Sequence, residues 1–289
     1  MVVDGRWRLA DGGSGTATIT ISGTPEITIN GEWRASDSGS DFAIFNIGGG
    51  TIQCNHFQIG DDGGAEINMN GGSLAVSNDM QFGGPRGSSA ITLNMTDGLI
   101  DIGSSLIAPS ADTLDGDLTI NLDGGTIQCG AMTHGGAGYV LDITEGTLKI
   151  AGDVQSNVYS DISQGIITAY GGEGTVHVEL ISGDTVVTAS PPDPNMASNP
   201  DPADRQVTFD PAVTLSWTPG LQAVQHDVYL GTDFDDVATA SDPDTLPGRG
   251  RQTGTSYDAG TLEAGTTYYW RIDEVNGPDV GTGAVSQFT

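Results

Sequence analysis

The amino-acid sequence predicts an all-β protein in which a parallel β-solenoid is followed by an antiparallel β-sandwich. A short apolar pattern repeats from Met1 to Ser190, glycine supplies 44 of the 289 residues, and a proline-rich segment then separates the repeats from a region of different composition. Frequent glycine together with short alternating segments is typical of strands that are joined by tight turns. Helical fold classes are therefore disfavoured.

Six segments of the first region share one template, which is apolar-x-apolar, a turn that usually contains glycine, and apolar-x-apolar again. The second turn residues of these segments are Pro25, Gly50, Gly72, Gly98, Gly125 and Gly146, and Gly165 marks a weaker seventh copy. Their separations run from 19 residues (146 to 165) to 27 residues (98 to 125), which is the period of a β-solenoid coil. We therefore expect six to seven coils in residues 1–190.

Within each segment the apolar residues alternate with polar ones, as expected for strands with one buried face. The pattern predicts inward side chains at pairs such as Ile67 and Met69, and it assigns Ile44 and Ile47 to the interior of the second segment. A single coil cannot bury its own apolar face, but coils stacked about 4.8 Å apart form a continuous core.

The two cysteines, Cys54 and Cys129, each end an identical GGTIQC hexapeptide, and the alignment places them three coils apart. Three coils separate their Cα atoms by about 14 Å, whereas a disulfide needs less than about 7 Å. We predict two separate, reduced thiols with a structural role in the core, because no second cysteine or adjacent histidine completes a metal site. The matching positions in the other coils are Ile29, Val76, Ile102 and Ile150.

A change in composition marks the domain boundary. Residues 191–204, PPDPNMASNPDPAD, carry five prolines in twelve positions and predict an extended linker. Residues 205–289 contain short alternating strands separated by Gly, Pro and Asp turns. These strands are VTLSW, DVYL, TYYWRIDEV and AVSQF. Such a series predicts a second domain built as an antiparallel sandwich.

The second domain resembles the fibronectin type III family in three segments. LEAGTTYYWRIDEVN resembles the family's Leu-x-x-Gly-Thr-x-Tyr corner and the strand after it, VTLSWTPG its tryptophan-bearing strand, and HDVYLGTDFDDV the third strand of bacterial versions. The resemblance implies structural roles for Tyr268 as the corner tyrosine and for Trp217 as the core tryptophan. The alternation of the strand itself places Trp270 on the same buried face as Tyr268. The repeats resemble the Gly-rich right-handed parallel β-helices that precede such domains in large secreted bacterial surface proteins.

The charge is strongly negative, with 38 acidic and 9 basic residues and a formal net charge of −29. Nucleic acids and anionic membranes are therefore disfavoured as partners, since binding to phosphates requires clustered lysine and arginine. The opening residues lack the pattern of a signal peptide, so we expect a processed piece of a larger extracellular or cell-surface product. No cofactor is expected apart from Ca²⁺, for which Asp233, Asp235 and Asp236 are weak candidate ligands.

No reaction centre is apparent in the sequence. Asp61 and Asp62 are similar to the acidic pair of polygalacturonase-like enzymes, but they lie in the turn sequence GDDGG, and the four histidines share no common spacing. We expect a non-catalytic structural or assembly protein of the bacterial cell surface that associates end to end into filaments, because solenoid ends expose unpaired backbone groups. The alternatives are a glycan-binding or adhesive module and an accessory region of a polysaccharide-active β-helix enzyme, with a lyase or hydrolase as the remaining enzymatic reading.

Overall fold

The structure of the protein is a computed structural model. It describes residues 1–11, 14–38, 41–60, 63–83, 90–108, 117–134, 138–204 and 206–289. The chain divides into two compact units, Met1–Pro191 and Pro192–Thr289. Strands make up 60% and helices 7% of the structure, so the predicted all-β class is confirmed.

The first unit consists of strands that stack from coil to coil, with one helix near its end. The strands are β1 (Val2–Val3), β2 (Trp7–Asp11), β3 (Thr16–Ile21), β4 (Glu26–Ser38), β5 (Phe42–Ile59), β6 (Gly64–Val76), β7 (Met80–Phe82), β8 (Ile91–Ile107), β9 (Leu118–Leu122), β10 (Thr126–Thr133), β11 (Tyr139–Ile143), β12 (Thr147–Ile150), β13 (Ile167–Ala169), β14 (Thr175–Ile181) and β15 (Asp184–Ser190). The helix α1 spans Gln155–Ser163, and a short 3₁₀ turn spans Tyr170–Gly172.

Parallel pairing arranges these strands in three stacks, which are the three sides of a β-solenoid. The first side contains β3, β9, β11 and β13 with the opening parts of β5, β6 and β8. The second side contains β1, the opening parts of β4 and β10, the middle parts of β5 and β8, the end of β6, and β12. The third side contains β2, β7 and the ends of β4, β5, β8 and β10.

The solenoid has about five turns, which confirms the solenoid and shows that the expected six to seven coils were too many. The difference lies at the outermost segments, which do not pass through all three sides. In the described residues β1 and β2 occupy only the second and third sides, and β11 and β12 lead into α1 instead of a strand of the third side. The strand β13 joins the first side alone.

Inward side chains form continuous columns through the first unit. On the second side Cys54 pairs with Ile29 and Val76, and Cys129 pairs with Ile102 and Ile150, in the register that the sequence alignment predicted. The assignment of Ile44 to the core is wrong, because Ile44 is only half-buried while Ala43, Phe45 and Ile47 are buried. Residues on one face of a strand are an even number of positions apart, so Ile44 and Ile47 cannot share a face.

In four of the described turns between the first and second sides, the second position is a glycine with positive φ. At Gly125 φ is +70°, and an added Cβ would lie 2.6 Å from the carbonyl oxygen of Gly98 in the preceding coil. Both the left-handed backbone and the close approach of the two coils exclude larger residues. The spacing of these glycines in the sequence therefore indicates where successive coils stack on one another.

The C-terminal end of the solenoid is closed by a helix and a hairpin. The helix α1 follows the last strand of the second side and buries Val158 against the core, with Val154 and Ile162 packed beside it. The chain then returns through β13 and forms the antiparallel hairpin β14–β15, and β15 pairs antiparallel with β12. Helix α1 was not predicted from the sequence.

The second unit contains two antiparallel sheets that share one apolar cluster. Its elements are β16 (Ser198–Asp201), β17 (Ala212–Thr218), β18 (Gln225–Gly231), α2 (Phe234–Thr239), β19 (Gly248–Gln252), β20 (Ser256–Thr261), β21 (Tyr268–Asn276), β22 (Asp279–Gly281) and β23 (Ser286–Phe288). One sheet has the order β16-β17-β20, and the other has the order β19-β18-β21-β22 with β23 also paired to β21. The cluster contains Val213, Leu215, Trp217, Val228, Leu230, Trp270, Ile272 and Phe288.

Candidate functional site

A ladder of asparagine side chains runs along the outer face of the first side. The Nδ2 atoms of Asn68, Asn94 and Asn121 each donate to the Oδ1 atom of the asparagine in the preceding coil, at 3.1, 2.9 and 2.8 Å, beginning at Asn46. Each amide thus bonds to its neighbours in the stack. The recurrence of asparagine at one position of four repeats is the sequence signal for this ladder, which was not predicted.

The ladder continues into the C-terminal end of the solenoid. Asp142 pairs in register with Asn121 and accepts a hydrogen bond from Thr168 Oγ1 at 2.6 Å. Its carboxylate also accepts from the backbone N–H of Gly171 at 2.9 Å. The outward polar groups of this side therefore hold successive coils in register instead of converging on a substrate-sized cleft.

A cleft of about 260 Å³ lies between the end of β10 and helix α1. His134 Nε2 lies 3.2 Å from Asp161 Oδ1, which links the third side to the helix. Among the described residues, the buried His134 Nδ1 and Tyr139 hydroxyl have no hydrogen-bond partner, and burial raises the pKa of Tyr139. The pair of His134 and Asp161 was not predicted because α1 was not predicted, although Val154, Val158 and Ile162 have helical spacing.

The chemistry available in this cleft is limited. A catalytic histidine needs a nucleophile or a substrate proton within hydrogen-bond distance. The nearby Cys129 is a poor nucleophile, because burial raises its pKa to about 12 and the thiol stays protonated at neutral pH. The groups present are therefore consistent with a packing role for His134 and Asp161.

Both cysteines lie in the core column of the second side. Cys54 and Cys129 are 2% and 5% exposed, and both are free thiols. Burial raises the pKa of each thiol to about 12. An ionised thiolate is the reactive form of cysteine, so neither residue has the properties of a nucleophile or a redox centre.

These pKa values predict that the folded state loses stability in alkaline solution. An unfolded thiol ionises near its ordinary pKa, so above about pH 9 the unfolded chain binds fewer protons than the folded chain, and folding free energy is lost until about pH 12. Between pH 8 and 10 the double variant Cys54→Ala/Cys129→Ala should lose about 3 kcal/mol less stability than the parent chain. Urea unfolding of both proteins at the two pH values measures this difference, and equal losses would contradict the buried-thiol account.

The calcium candidates lie at the start of helix α2. Asp233 is the N-cap residue, and its Oδ1 accepts from the backbone N–H of Asp236 at 3.1 Å. Asp235 and Asp236 are exposed in the first turn, where carboxylates favour the helix dipole. Among the described residues no three His, Cys, Asp or Glu side chains are grouped as metal ligands. Calcium binding by these aspartates stays a prediction, and Asp61 and Asp62 lie outside the described residues.

The second unit buries several charged groups that the sequence analysis did not identify. Arg271 Nε and an Nη atom bond to both carboxylate oxygens of Asp273 at 2.8 and 2.9 Å, and the guanidinium lies 4.5 Å from the ring centre of Tyr229. Burial raises the pKa of Asp273, while hydrogen bonds from Gly283 and Arg271 oppose that shift. His226 pairs with Glu274 on the other face of the same sheet.

The three residues singled out for structural roles in the second unit are located as follows. Trp217 and Trp270 are buried in the apolar cluster, at 6% and 2% exposure. Tyr268 is half-buried, and its hydroxyl accepts a hydrogen bond from the backbone N–H of Glu263 at 3.1 Å. The two tryptophans therefore pack in the apolar cluster, and Tyr268 is held by a hydrogen bond to the backbone.

Comparison of the chain with protein-family models, with curated proteins and with solved structures gives no match. Neither helix in the described part of the chain has the length and apolar character that crossing a membrane requires.

Proposed function

We propose that the chain is a non-catalytic structural module of a bacterial extracellular or cell-surface protein. The observation that supports this best is the asparagine ladder from Asn46 to Asn121, in which outward polar groups bond from coil to coil. Asparagine side chains that hydrogen-bond to one another stabilise the stacked coils, and their amide groups are then not available to bind a substrate. The strongly acidic composition suits a soluble surface element.

For the second unit we propose a fibronectin type III-like β-sandwich. The strand orders β16-β17-β20 and β19-β18-β21-β22, joined by one apolar cluster, support this assignment. The hydrogen bond from Glu263 N–H to Tyr268 supports it further, because a tyrosine corner bonds to backbone a few residues upstream.

The corner assignment predicts a modest loss of stability when the hydroxyl is removed. Tyr268→Phe leaves the Glu263 N–H without its partner and should lower the free energy of unfolding by about 1 kcal/mol. Tyr269→Phe, in the adjacent position on the opposite face of β21, serves as the control and should cost less than half as much. Equal effects in urea unfolding experiments would argue against a tyrosine corner.

The proposed function is tested by exposing the full chain to neutral and acidic polysaccharides. We expect neither new reducing ends nor unsaturated sugar products after prolonged incubation with or without Ca²⁺. Release of oligosaccharides would overturn the non-catalytic proposal. Retarded migration in polysaccharide-containing gels without cleavage would instead favour the glycan-binding alternative.

Self-association end to end remains part of the proposal. At the C-terminal coil the helix α1 takes the place of a third-side strand, so a coil-on-coil contact there would be confined to the edge formed by β14. Negative-stain electron microscopy of the purified chain separates filaments from discrete particles.

A further inference from the structure

The outer edge of β14 carries backbone groups that point away from the rest of the solenoid. Ser182 and Gly183, with φ of 56° and 92°, form a two-residue hairpin turn, which makes Ile181 and Asp184 a hydrogen-bonded pair. Hydrogen-bonded pairs alternate along an antiparallel ladder, so the odd-numbered residues of β14 bond to β15. The N–H and C=O groups of Val176, Val178 and Leu180 therefore face outward.

The end of this edge near the hairpin turn is exposed, and the strand lacks the lysine and proline that commonly prevent strand pairing. Leu180 and Ile181 are 47% and 46% exposed, and the sequence TVHVELI contains neither lysine nor proline. In the described part of the chain, the bond found to the outward groups is a long one, 3.5 Å from Gln155 Nε2 to the carbonyl oxygen of Val178. Edges of this kind are templates for an added strand.

We propose that β14 pairs antiparallel with β14 of a second copy of this chain, about a two-fold axis at Val178. The proposal rests on the structural-assembly function proposed above and names the contact through which copies would associate. Two-fold pairing gives a closed dimer, because the same edge is used on both copies.

Side-chain pairing favours this register over the two neighbouring symmetric registers. With Val178 opposite itself, His177 of each copy, whose Nε2 lies 2.9 Å from Ser190 Oγ, lies opposite Glu179 of the other, which places an imidazole beside a carboxylate. A register centred on His177 places two histidines opposite each other, and one centred on Glu179 places two carboxylates opposite each other. Like charges directly across a ladder destabilise the pairing.

The same register also matches the opposite face and the backbone. Val176 lies opposite Leu180 of the second copy, and Val178 lies opposite its own equivalent, so apolar side chains meet on the face that continues the core. Three hydrogen-bonded residue pairs would exchange about six backbone hydrogen bonds. The second-side stack would then run uninterrupted from one copy into the other.

Sedimentation velocity of the full chain from about 1 to 100 μM tests the proposal, and we expect a concentration-dependent monomer–dimer equilibrium. His177→Glu places two carboxylates opposite each other at both pairs and should weaken the dimer about fivefold or more. The double variant His177→Glu/Glu179→Lys restores opposite charges and should return the dimer to within about twofold of the parent. Ser104→Glu adds negative charge at an exposed site away from β14 and should have little effect.

Val178→Pro supplies an independent test, because it removes an outward N–H that β15 does not use. We expect it to abolish the dimer with unchanged far-ultraviolet circular dichroism; if it fails to fold, the charge variants still decide. A monomer at every concentration overturns the proposal. A dimer indifferent to His177→Glu also overturns it, by assigning association to another surface, and neither result alters the outcome of the polysaccharide experiment.

Discussion

Replacement of Trp33 by alanine is expected to destabilise the solenoid by about 3 to 5 kcal/mol. Trp33 is fully buried and stacks between Trp7 and Phe57, with ring centres 5.3 and 4.5 Å away, while Phe45 meets it edge-on at 5.1 Å. Truncation removes contacts with three aromatic rings and leaves a cavity that flat strands cannot readily collapse to fill.

Trp7→Ala is the matched control, because Trp7 is half-buried at the outer end of the same stack. It should cost about 2 kcal/mol or less, since only one aromatic neighbour is lost. Chemical denaturation followed by circular dichroism compares the two variants. Equal losses of stability in the two variants would show that the aromatic contacts of Trp33 do not stabilise the solenoid by the expected amount.

In the second unit, Arg271→Met is expected to cost about 3 to 5 kcal/mol, because it leaves the carboxylate of Asp273 buried without its partner. Arg271 also donates to the carbonyl oxygens of Val237 and Ala238 at 2.8 and 2.6 Å, which fastens the end of α2 to β21. The Arg271 side chain thus forms a buried ion pair and also holds the end of α2 through hydrogen bonds.

The double variant Arg271→Met/Asp273→Leu separates these two contributions. Removing both charges abolishes the unpaired carboxylate, so the double variant should be more stable than Arg271→Met by about 2 kcal/mol while the helix anchor remains lost. Hydrogen exchange of the β18 and β21 amides, followed by mass spectrometry, measures the stability of this sheet in each variant. A double variant less stable than Arg271→Met would rule out charge burial as the dominant cost.

The repeating part of the fold could be predicted because stacking forces equivalent residues into register. The column through Cys54 and Cys129 and the glycine at position 125 follow from that constraint alone. Ile44 was misplaced because a local apolar count ignored the parity of the strand. The number of coils was overestimated because the template does not reveal whether a segment passes through all three sides.

Other features depend on contacts between distant segments, which the template does not contain. Helix α1 has only nine residues, too few for helical spacing to stand out among short apolar segments. The proximity of His134 to Asp161, and of Arg271 to the end of α2, arises from packing between separate elements. The exposed edge of β14 could be suspected from its alternation, but its register with β15 and β12 is a property of the fold.

Successive coils differ most in length at one corner. From the first side to the second and from the second to the third, the register passes from coil to coil with small irregularities. Between the third side and the next first side, the chain runs from Ser38 to Phe42 in one coil and from Ile107 to Leu118 in another. Evolution or engineering can therefore insert sequence at this corner, including a grafted peptide epitope, whereas the same insertion at a glycine turn would displace every later coil.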